Sequence, residues 1–156
     1  MTAPFQVGSP GWHKQHLANY LETDGADGHY LDFRPAGGGP KVPTLILKTI
    51  GRKSGDIHLS PLIYGRHGDE VVIIGSRGGA PAHPAWYLNL TARPDVEFQI
   101  AAEKWRGTWR ELCDADRDRV WAEMVAIYPP FTDYQAATER KIPILMLKPV
   151  EPITAL

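Results

Sequence analysis

Two glycine-bounded turns carry the residue types best suited to holding an anion. The first is Gly51-Arg52-Lys53-Ser54-Gly55 and the second is Ser76-Arg77-Gly78-Gly79. Each follows a β-rich segment and offers cationic groups, a hydroxyl and backbone N–H groups, which are the donors that phosphates bind. Because the turns end neighbouring strands, we expect them to direct these donors towards one place. A lone basic turn is also common as a plain solvated hairpin tip, so neither turn identifies a ligand by itself.

An aromatic set around Pro129-Pro130 is typical of a pocket for a flat ring. Tyr128, Phe131 and Tyr134 are spaced by three, where the prolines interrupt helical structure. Side chains at such a break are harder to bury between a helix and a sheet. We therefore expect them to line an apolar cleft, with phenol groups available for hydrogen bonds. For Trp86, packing in the core is an equally good interpretation.

The sequence carries no recognisable catalytic nucleophile or metal site. His13 and His16 stand three apart without a third histidine or a carboxylate close by in sequence, so we expect no metal. Cys113 is followed by Asp114 and Asp116, whose negative charges disfavour a thiolate. If the protein is an enzyme, a cofactor is therefore expected to supply the reactive chemistry.

Composition excludes several classes of function. The chain has 156 residues, which suits a single domain over residues 1–156, and its net charge of −1 provides no basic field for nucleic acid. The single cysteine excludes internal disulfides and suits a reducing cytoplasm, where we expect the protein to be. No stretch resembles a signal peptide or approaches membrane-spanning length.

Residues 1–40 are predicted to form an N-terminal helix and a glycine-rich connector. Between Trp12 and Glu22 the apolar residues recur near helical spacing. The simplest interpretation is a helix that covers one end of a barrel. The alternatives are an arm over a ligand and a peripheral membrane contact, although few cationic residues lie on the polar face of this helix.

The remaining pattern favours a mainly β, α+β protein built on a small antiparallel barrel with surrounding helices. Short β-rich segments are neighbours in sequence and do not alternate regularly with helices. We predict strands over 44–49, 57–64, 70–75, 96–100, 103–112 and 144–147. We predict helices over 84–91 and from Asp114 or Asp116 to the prolines at 129 and 130, and a short turn or helix over 131–140. Pro61 indicates a strand edge or a bulge.

Four motifs in their order resemble the deazaflavin-dependent nitroreductase family, which includes F420H2-dependent quinone reductases. They are the segments 51–55, 76–79, 83–90 and 128–134, and the resemblance extends over about residues 12–148. It implies a split β-barrel related to FMN-binding oxidases. It also implies the reduced form of coenzyme F420 as cofactor, a deazaflavin with a phosphate and an acidic tail.

The resemblance implies a role for each matched position. The phosphate region would be held by Arg52, Lys53 and Ser54, with His58 nearby on the following strand. The deazaflavin ring would be lined by Pro61, Ser76, Arg77, Gly78, Gly79, Ala85 and Trp86. The substrate pocket would be formed by Tyr128, Phe131 and Tyr134. Hydride would pass to an electron-poor acceptor such as a quinone, nitroaromatic or activated enone, and the candidate proton donors are Ser76, Tyr128 and Tyr134.

Three positions depart from the family pattern, and other functions stay open. His58 stands where a second arginine is common, Phe131 where the nitroreductase has a tyrosine, and Arg77 where a lysine is usual. One alternative is an FMN-binding split-barrel oxidoreductase, and another is a non-catalytic F420-binding protein. An exposed barrel edge would also allow a homodimer.

Overall fold

Seven β-strands and four α-helices make up residues 2–156, which a computed structural model describes. The strands are β1 Tyr30–Leu31, β2 Val42–Ile50, β3 Ile57–His67, β4 Glu70–Ile74, β5 Asp95–Ile100, β6 Glu103–Glu111 and β7 Ile144–Pro152. The helices are α1 Trp12–Thr23, α2 Ala85–Thr91, α3 Arg117–Ile127 and α4 Pro130–Ala136. Short 3-10 turns cover Arg34–Ala36 and Arg77–Gly79.

Six of these strands close into an antiparallel barrel, which confirms the predicted fold class. Their order is β2-β3-β4-β7-β6-β5, and pairing of β2 with β5 closes the ring, for example at Leu47 opposite Phe98. The short β1 adds to the outer edge of β2. A β-bulge between Arg106 and Gly107 interrupts the β6–β7 register, and such bulges increase the local bend that closure requires.

The predicted edge at Pro61 is confirmed, and no bulge accompanies it. Pro61 lies opposite Ile46 in an uninterrupted β2–β3 register. Pairing of β3 with β4 begins only at Tyr64, so within the described chain the first half of β3 has one side without a strand partner. A residue that lacks an N–H is tolerated on such an edge.

The apolar alternation of the strands divides the core into two clusters. Val71 and Ile73 point into the barrel interior, while Val72 and Ile74 pack outwards against the cluster that contains Met124 of α3. The outer face of β4 is covered by helices, so it is apolar on both faces as the sequence indicated.

Helix α1 covers one end of the barrel and is fastened there by Tyr20. The fully buried hydroxyl of Tyr20 donates to the Thr44 carbonyl at 2.9 Å and accepts from the Ala101 amide at 2.9 Å. The helix is flanked by two residues in the left-handed region, Gly11 before it and Asp24 after it. Across residues 2–156 no helix has the length and apolar character needed to cross a membrane.

Helices α3 and α4 meet at the predicted proline break. The first begins directly after Asp116, whose carboxylate accepts from Arg119 at 2.8 Å, while the Asp114 carboxylate accepts from the Asp116 backbone N–H at 2.9 Å just before the helix. The second begins at Pro130, where a missing N–H is harmless. It occupies only the first part of the segment 131–140, since it ends at Ala136.

Candidate functional site

A cleft of about 640 Å³ lies where α1, the free edge of β3, the start of α2 and the α3–α4 junction meet. Its volume is within the usual range for cofactor and small-molecule sites. Eight of the sequence-predicted site residues line it, namely Pro61, Ser76, Arg77, Gly78, Trp86, Tyr128, Phe131 and Tyr134. Residues from four separate segments of the chain are therefore brought to one place.

The loop after β4 forms the polar side of the cleft. Arg77, Gly78 and Gly79 follow one another with φ values of 45°, 62° and 84°, all in the left-handed region. Glycine adopts this region without penalty, whereas Arg77 is strained there. This backbone path leaves Ser76 buried at 9% exposure and places Gly78 on the cleft wall.

Gly79 is not part of the cleft wall, because it is the contact between this loop and α4. A Cβ added at Gly79 would lie 2.7 Å from the Tyr134 carbonyl oxygen. The predicted role of Gly79 in lining the ring is therefore replaced by a packing role. Ala85, the first residue of α2, is exposed and also lies outside the lining of the cleft.

The aromatic wall opposite the loop is tightly built. The hydroxyls of Tyr128 and Tyr134 lie 2.9 Å apart, and the Phe131 ring meets the Tyr128 ring edge-on with 5.0 Å between centroids. Tyr128 and Phe131 are almost fully buried. Burial, and then the hydrogen bond with Tyr134, raises the pKa of Tyr128 well above its ordinary value. The phenol stays neutral, as it would be at its ordinary pKa, and it is available as a hydrogen-bond donor at the cleft.

The basic turn does not reach the cleft. Arg52, Lys53, Ser54 and His58 are exposed, and none of them lines it. The Asn89 side-chain oxygen accepts from the Arg52 backbone N–H and from its guanidinium, both at 3.1 Å. The turn is thereby tied to α2, the helix that places Trp86 in the cleft.

The two turns do not line the same cleft, and the strand register shows how they are offset. Strand β4 ends opposite the middle of β3, since Ile73 pairs with Tyr64, whereas the basic turn lies beyond Ile57. The six residue steps from Ile57 to Ile63 span about 20 Å of strand. A ligand that contacts both turns must therefore extend along the free edge of β3, past His58 and Pro61.

The N-terminal residues contribute to the cleft, which sequence reasoning held only as the alternative of an arm over a ligand and without assigning site residues there. Trp12, His13, His16 and Phe33 line it. Burial lowers the pKa of His16, and its Nε2 lies 2.9 Å from the Gly28 carbonyl oxygen. The helical spacing of Trp12 and His16 was the available signal, but only the packing of α1 shows which face meets the cleft.

A second missed contact comes from the glycine-rich connector. A Cβ at Gly38 would lie 2.8 Å from the ring of Tyr128 and 2.8 Å from Phe33. The connector therefore packs directly behind the aromatic wall. Its composition suggested flexibility, whereas this glycine is required for close approach.

Comparison with known proteins adds an independent observation. A family model described as F420H(2)-dependent quinone reductase matches residues 12–149. An F420H(2)-dependent quinone reductase of Mycobacterium tuberculosis strain H37Rv is 35% identical over 135 residues, which cover 85% of this chain and 86% of that protein.

Solved structures agree with this result. An F420-H2 dependent reductase (34% identity, TM-score 0.62) is matched over 68% of this chain and 94% of its own. A chain described as a domain-swapped dimer (33% identity, TM-score 0.64) is matched over 90% of this chain and 100% of its own. The family resemblance and the cofactor class expected from the sequence are confirmed.

Proposed function

Because this chain belongs to the F420H(2)-dependent quinone reductase family, we propose that the cleft between the 76–79 loop and the aromatic wall is where it reduces its acceptor. The protein is an oxidoreductase that uses reduced F420. The observation that carries the site assignment is the convergence of Ser76, Gly78, Trp86 and the Tyr128–Tyr134 hydroxyl pair on one mainly apolar cleft.

The residues present suit a planar ring with an anionic extension. Pro61 and Trp86 offer apolar surface, and Gly78 lets a ring approach the backbone closely because it has no side chain. Arg77 puts a cation at the rim of the cleft, and the more distant cations Arg52 and Lys53 suit a phosphate or acidic tail. The separation of the two turns along β3 fits a long cofactor better than a compact one.

When bound, reduced F420 supplies a hydride to the acceptor. The protein has to hold the reduced cofactor and the acceptor in a reactive orientation, exclude water and support protonation of the acceptor oxygen. A quinone that receives one hydride and one proton becomes the hydroquinone, so the charges balance. We assign the proton donation to the Tyr128–Tyr134 pair or to Ser76, since these hydroxyl-bearing residues line the cleft.

The first test is a fluorescence titration of the purified protein with F420, with FMN run in parallel. Saturable binding of F420 and not of FMN is the expected result. Binding of FMN alone would favour the FMN-binding alternative and overturn the ring assignment. Steady-state oxidation of F420H2 by menadione then separates a reductase from a non-catalytic F420-binding protein.

A homodimer is a further part of the proposal. One structurally similar chain is described as a domain-swapped dimer. Light scattering coupled to size-exclusion chromatography should give twice the mass of 17.3 kDa for a dimer. The peripheral membrane contact through α1 and the cytoplasmic location stay predictions, and co-sedimentation with anionic vesicles tests the first of these.

A further inference from the structure

The loop after β4 is held by one side chain from a distant part of the sequence. Arg140 donates from Nε to the Ala80 carbonyl at 2.8 Å, from Nη1 to the Gly75 carbonyl at 3.1 Å and from Nη2 to the Ser76 carbonyl at 2.7 Å. These carbonyls flank the three left-handed residues on both sides. One planar guanidinium thus fixes the start and the end of the loop at the same time.

This loop needs such external support because its backbone is not in a relaxed conformation. Arg77 is a non-glycine residue with φ of 45°, and residues in this region persist when surrounding contacts determine them. Within the loop, the Gly79 amide bonds to Ser76 and the Ala80 amide to Arg77, at 2.9 and 3.1 Å. These short-range bonds alone do not set the position of the loop relative to the rest of the cleft.

Arg140 is itself anchored to the helix that carries the aromatic wall. The Gln135 side chain at the end of α4 donates to the Arg140 carbonyl at 2.8 Å and accepts from the Ile142 amide at 3.0 Å. Gln135 follows Tyr134 directly in sequence. Loop and aromatic wall are therefore joined through a chain of hydrogen bonds in addition to the direct contact at Gly79.

Arg140 also reaches the segment before α2. Its Nη1 lies 3.0 Å from Nδ1 of His83, and since arginine can only donate, this histidine nitrogen is the acceptor. Partial burial, and then the charge of Arg77, lowers the pKa of Arg140. The guanidinium is therefore partly withdrawn from water and placed close to the cation at the rim of the cleft.

We propose that Arg140 is a positioning residue that sets the distance between the cofactor loop and the acceptor pocket. In this assignment Arg140 contacts neither the deazaflavin ring nor the acceptor. It holds the loop through the carbonyls of Gly75, Ser76 and Ala80. The expected effect of Arg140 on catalysis rests on the proposed function. Its expected effect on the conformation of the loop does not. A lysine at this position retains the charge but lacks the planar fork needed to bind three carbonyls together.

Two variants test the proposal, with a matched control. Arg140→Lys and Arg140→Ala are compared with Arg119→Ala, which removes an exposed arginine whose ion pair with Asp116 lies on α3. For Arg140→Lys we expect F420 affinity and kcat with menadione each to fall about tenfold, with the KM for menadione nearly unchanged. The number of F420 sites per chain should stay at the wild-type value, so that loss of folded protein is excluded as the cause.

Chemical rescue separates positioning from general destabilisation. Added methylguanidinium should restore part of the kcat of Arg140→Ala, whereas urea at the same concentration should not. If Arg140→Ala does not fold, Arg140→Lys alone decides. The comparison requires that the wild-type protein binds F420 and turns over. If Arg140→Lys then shows the same kcat and the same F420 affinity as the wild type, the proposal is overturned.

Hydrogen–deuterium exchange of the cofactor-free protein tests the structural part independently of any activity. Peptides covering residues 75–80 should exchange at least about tenfold faster in Arg140→Lys, with barrel peptides unchanged. Unchanged exchange in this loop would sink the inference even if F420 binds. Faster exchange in a protein that fails to bind F420 would sustain the loop contact and reject the proposed function instead.

Discussion

The hydroxyls of Tyr128 and Tyr134 lie 2.9 Å apart across the break between α3 and α4. Tyr128 follows the last turn of α3, and Tyr134 lies in α4, which begins at Pro130. The prolines redirect the chain so that two phenols six residues apart meet at the same cleft. This pair is one of the two proton sources that we propose for the acceptor.

We expect the double substitution Tyr128→Phe/Tyr134→Phe to lower kcat with menadione by about 10- to 100-fold, near the lower end of what general acids contribute. F420 affinity should change little, because neither hydroxyl is assigned to the cofactor. Stopped-flow oxidation of F420H2 measures the effect, with Tyr30→Phe, an exposed tyrosine, as control. Wild-type kcat in the double variant would leave Ser76 or water as the donor.

Stability at alkaline pH should depend on Tyr20. Burial raises its pKa to about 12, so between pH 10 and 12 the unfolded chain loses this proton while the folded chain retains it. Unfolding therefore becomes easier as pH rises through this range, and the contribution is fully present below pH 10. Tyr20→Phe should cost about 1–3 kcal/mol at pH 7 by leaving the Thr44 and Ala101 groups unpaired.

Urea unfolding at several pH values measures both effects of Tyr20→Phe. The variant should show a smaller loss of unfolding free energy between pH 10 and 12 than the wild type does. Equal losses in the two proteins would mean that other tyrosines, such as Tyr87 with its pKa raised to about 12, dominate the alkaline transition.

Arg52→Ala/Lys53→Ala should weaken F420 binding strongly while leaving the cleft intact. Charge-assisted hydrogen bonds contribute about 1.5–3 kcal/mol each, so at least about a tenfold loss per residue is expected. The loss should shrink at high salt, because both side chains are exposed. Fluorescence titration checks this, with Arg119→Ala/Lys148→Ala as a charge-matched control. Equal affinity of the two double variants would remove the phosphate assignment.

Gly79→Ala and Gly78→Ala form a matched pair for the contact between the cofactor loop and α4. Both glycines have positive φ, but a Cβ at Gly78 meets no atom within 4 Å, whereas one at Gly79 lies 2.7 Å from the Tyr134 carbonyl oxygen. Both variants carry backbone strain of about 1–2 kcal/mol. The free energy of unfolding of Gly79→Ala should fall by about 1–3 kcal/mol more than that of Gly78→Ala because of overpacking, as measured by urea unfolding. Similar losses of unfolding free energy in both variants would show that the loop can move away from α4 without destabilising the protein.

Phe131→Tyr should raise any turnover of nitroimidazoles. The new hydroxyl would add a third phenol to the wall that already holds Tyr128 and Tyr134, at the position where the resemblance to the nitroreductases implies a tyrosine. Product analysis with a nitroimidazole measures the change, and menadione turnover in the same preparation controls for loss of folded enzyme. No gain would mean that acceptor choice is decided elsewhere in the cleft.

The sequence by itself determined the features that depend on near neighbours. The hairpin turn at 51–55, the helix break at Pro129-Pro130 and the two apolar faces of β4 were all predictable, because turn residues, prolines and alternation act within a few positions. The same local patterns, taken together, indicated the barrel and the family. They also identified eight residues that line the cleft.

Only the tertiary structure determined the relative positions of these turns, strands and helices. The basic turn with Arg52 lies beyond Ile57, about 13 Å of strand from Pro61 on the cleft wall, and no local pattern encodes register at that range. Arg140 meets carbonyls 60 to 65 residues earlier in the chain, and its role was invisible in the sequence for the same reason. Closure of β2 on β5 and long-range packing bring distant segments into contact, and this packing gathers the 76–79 loop and three aromatic residues at one cleft.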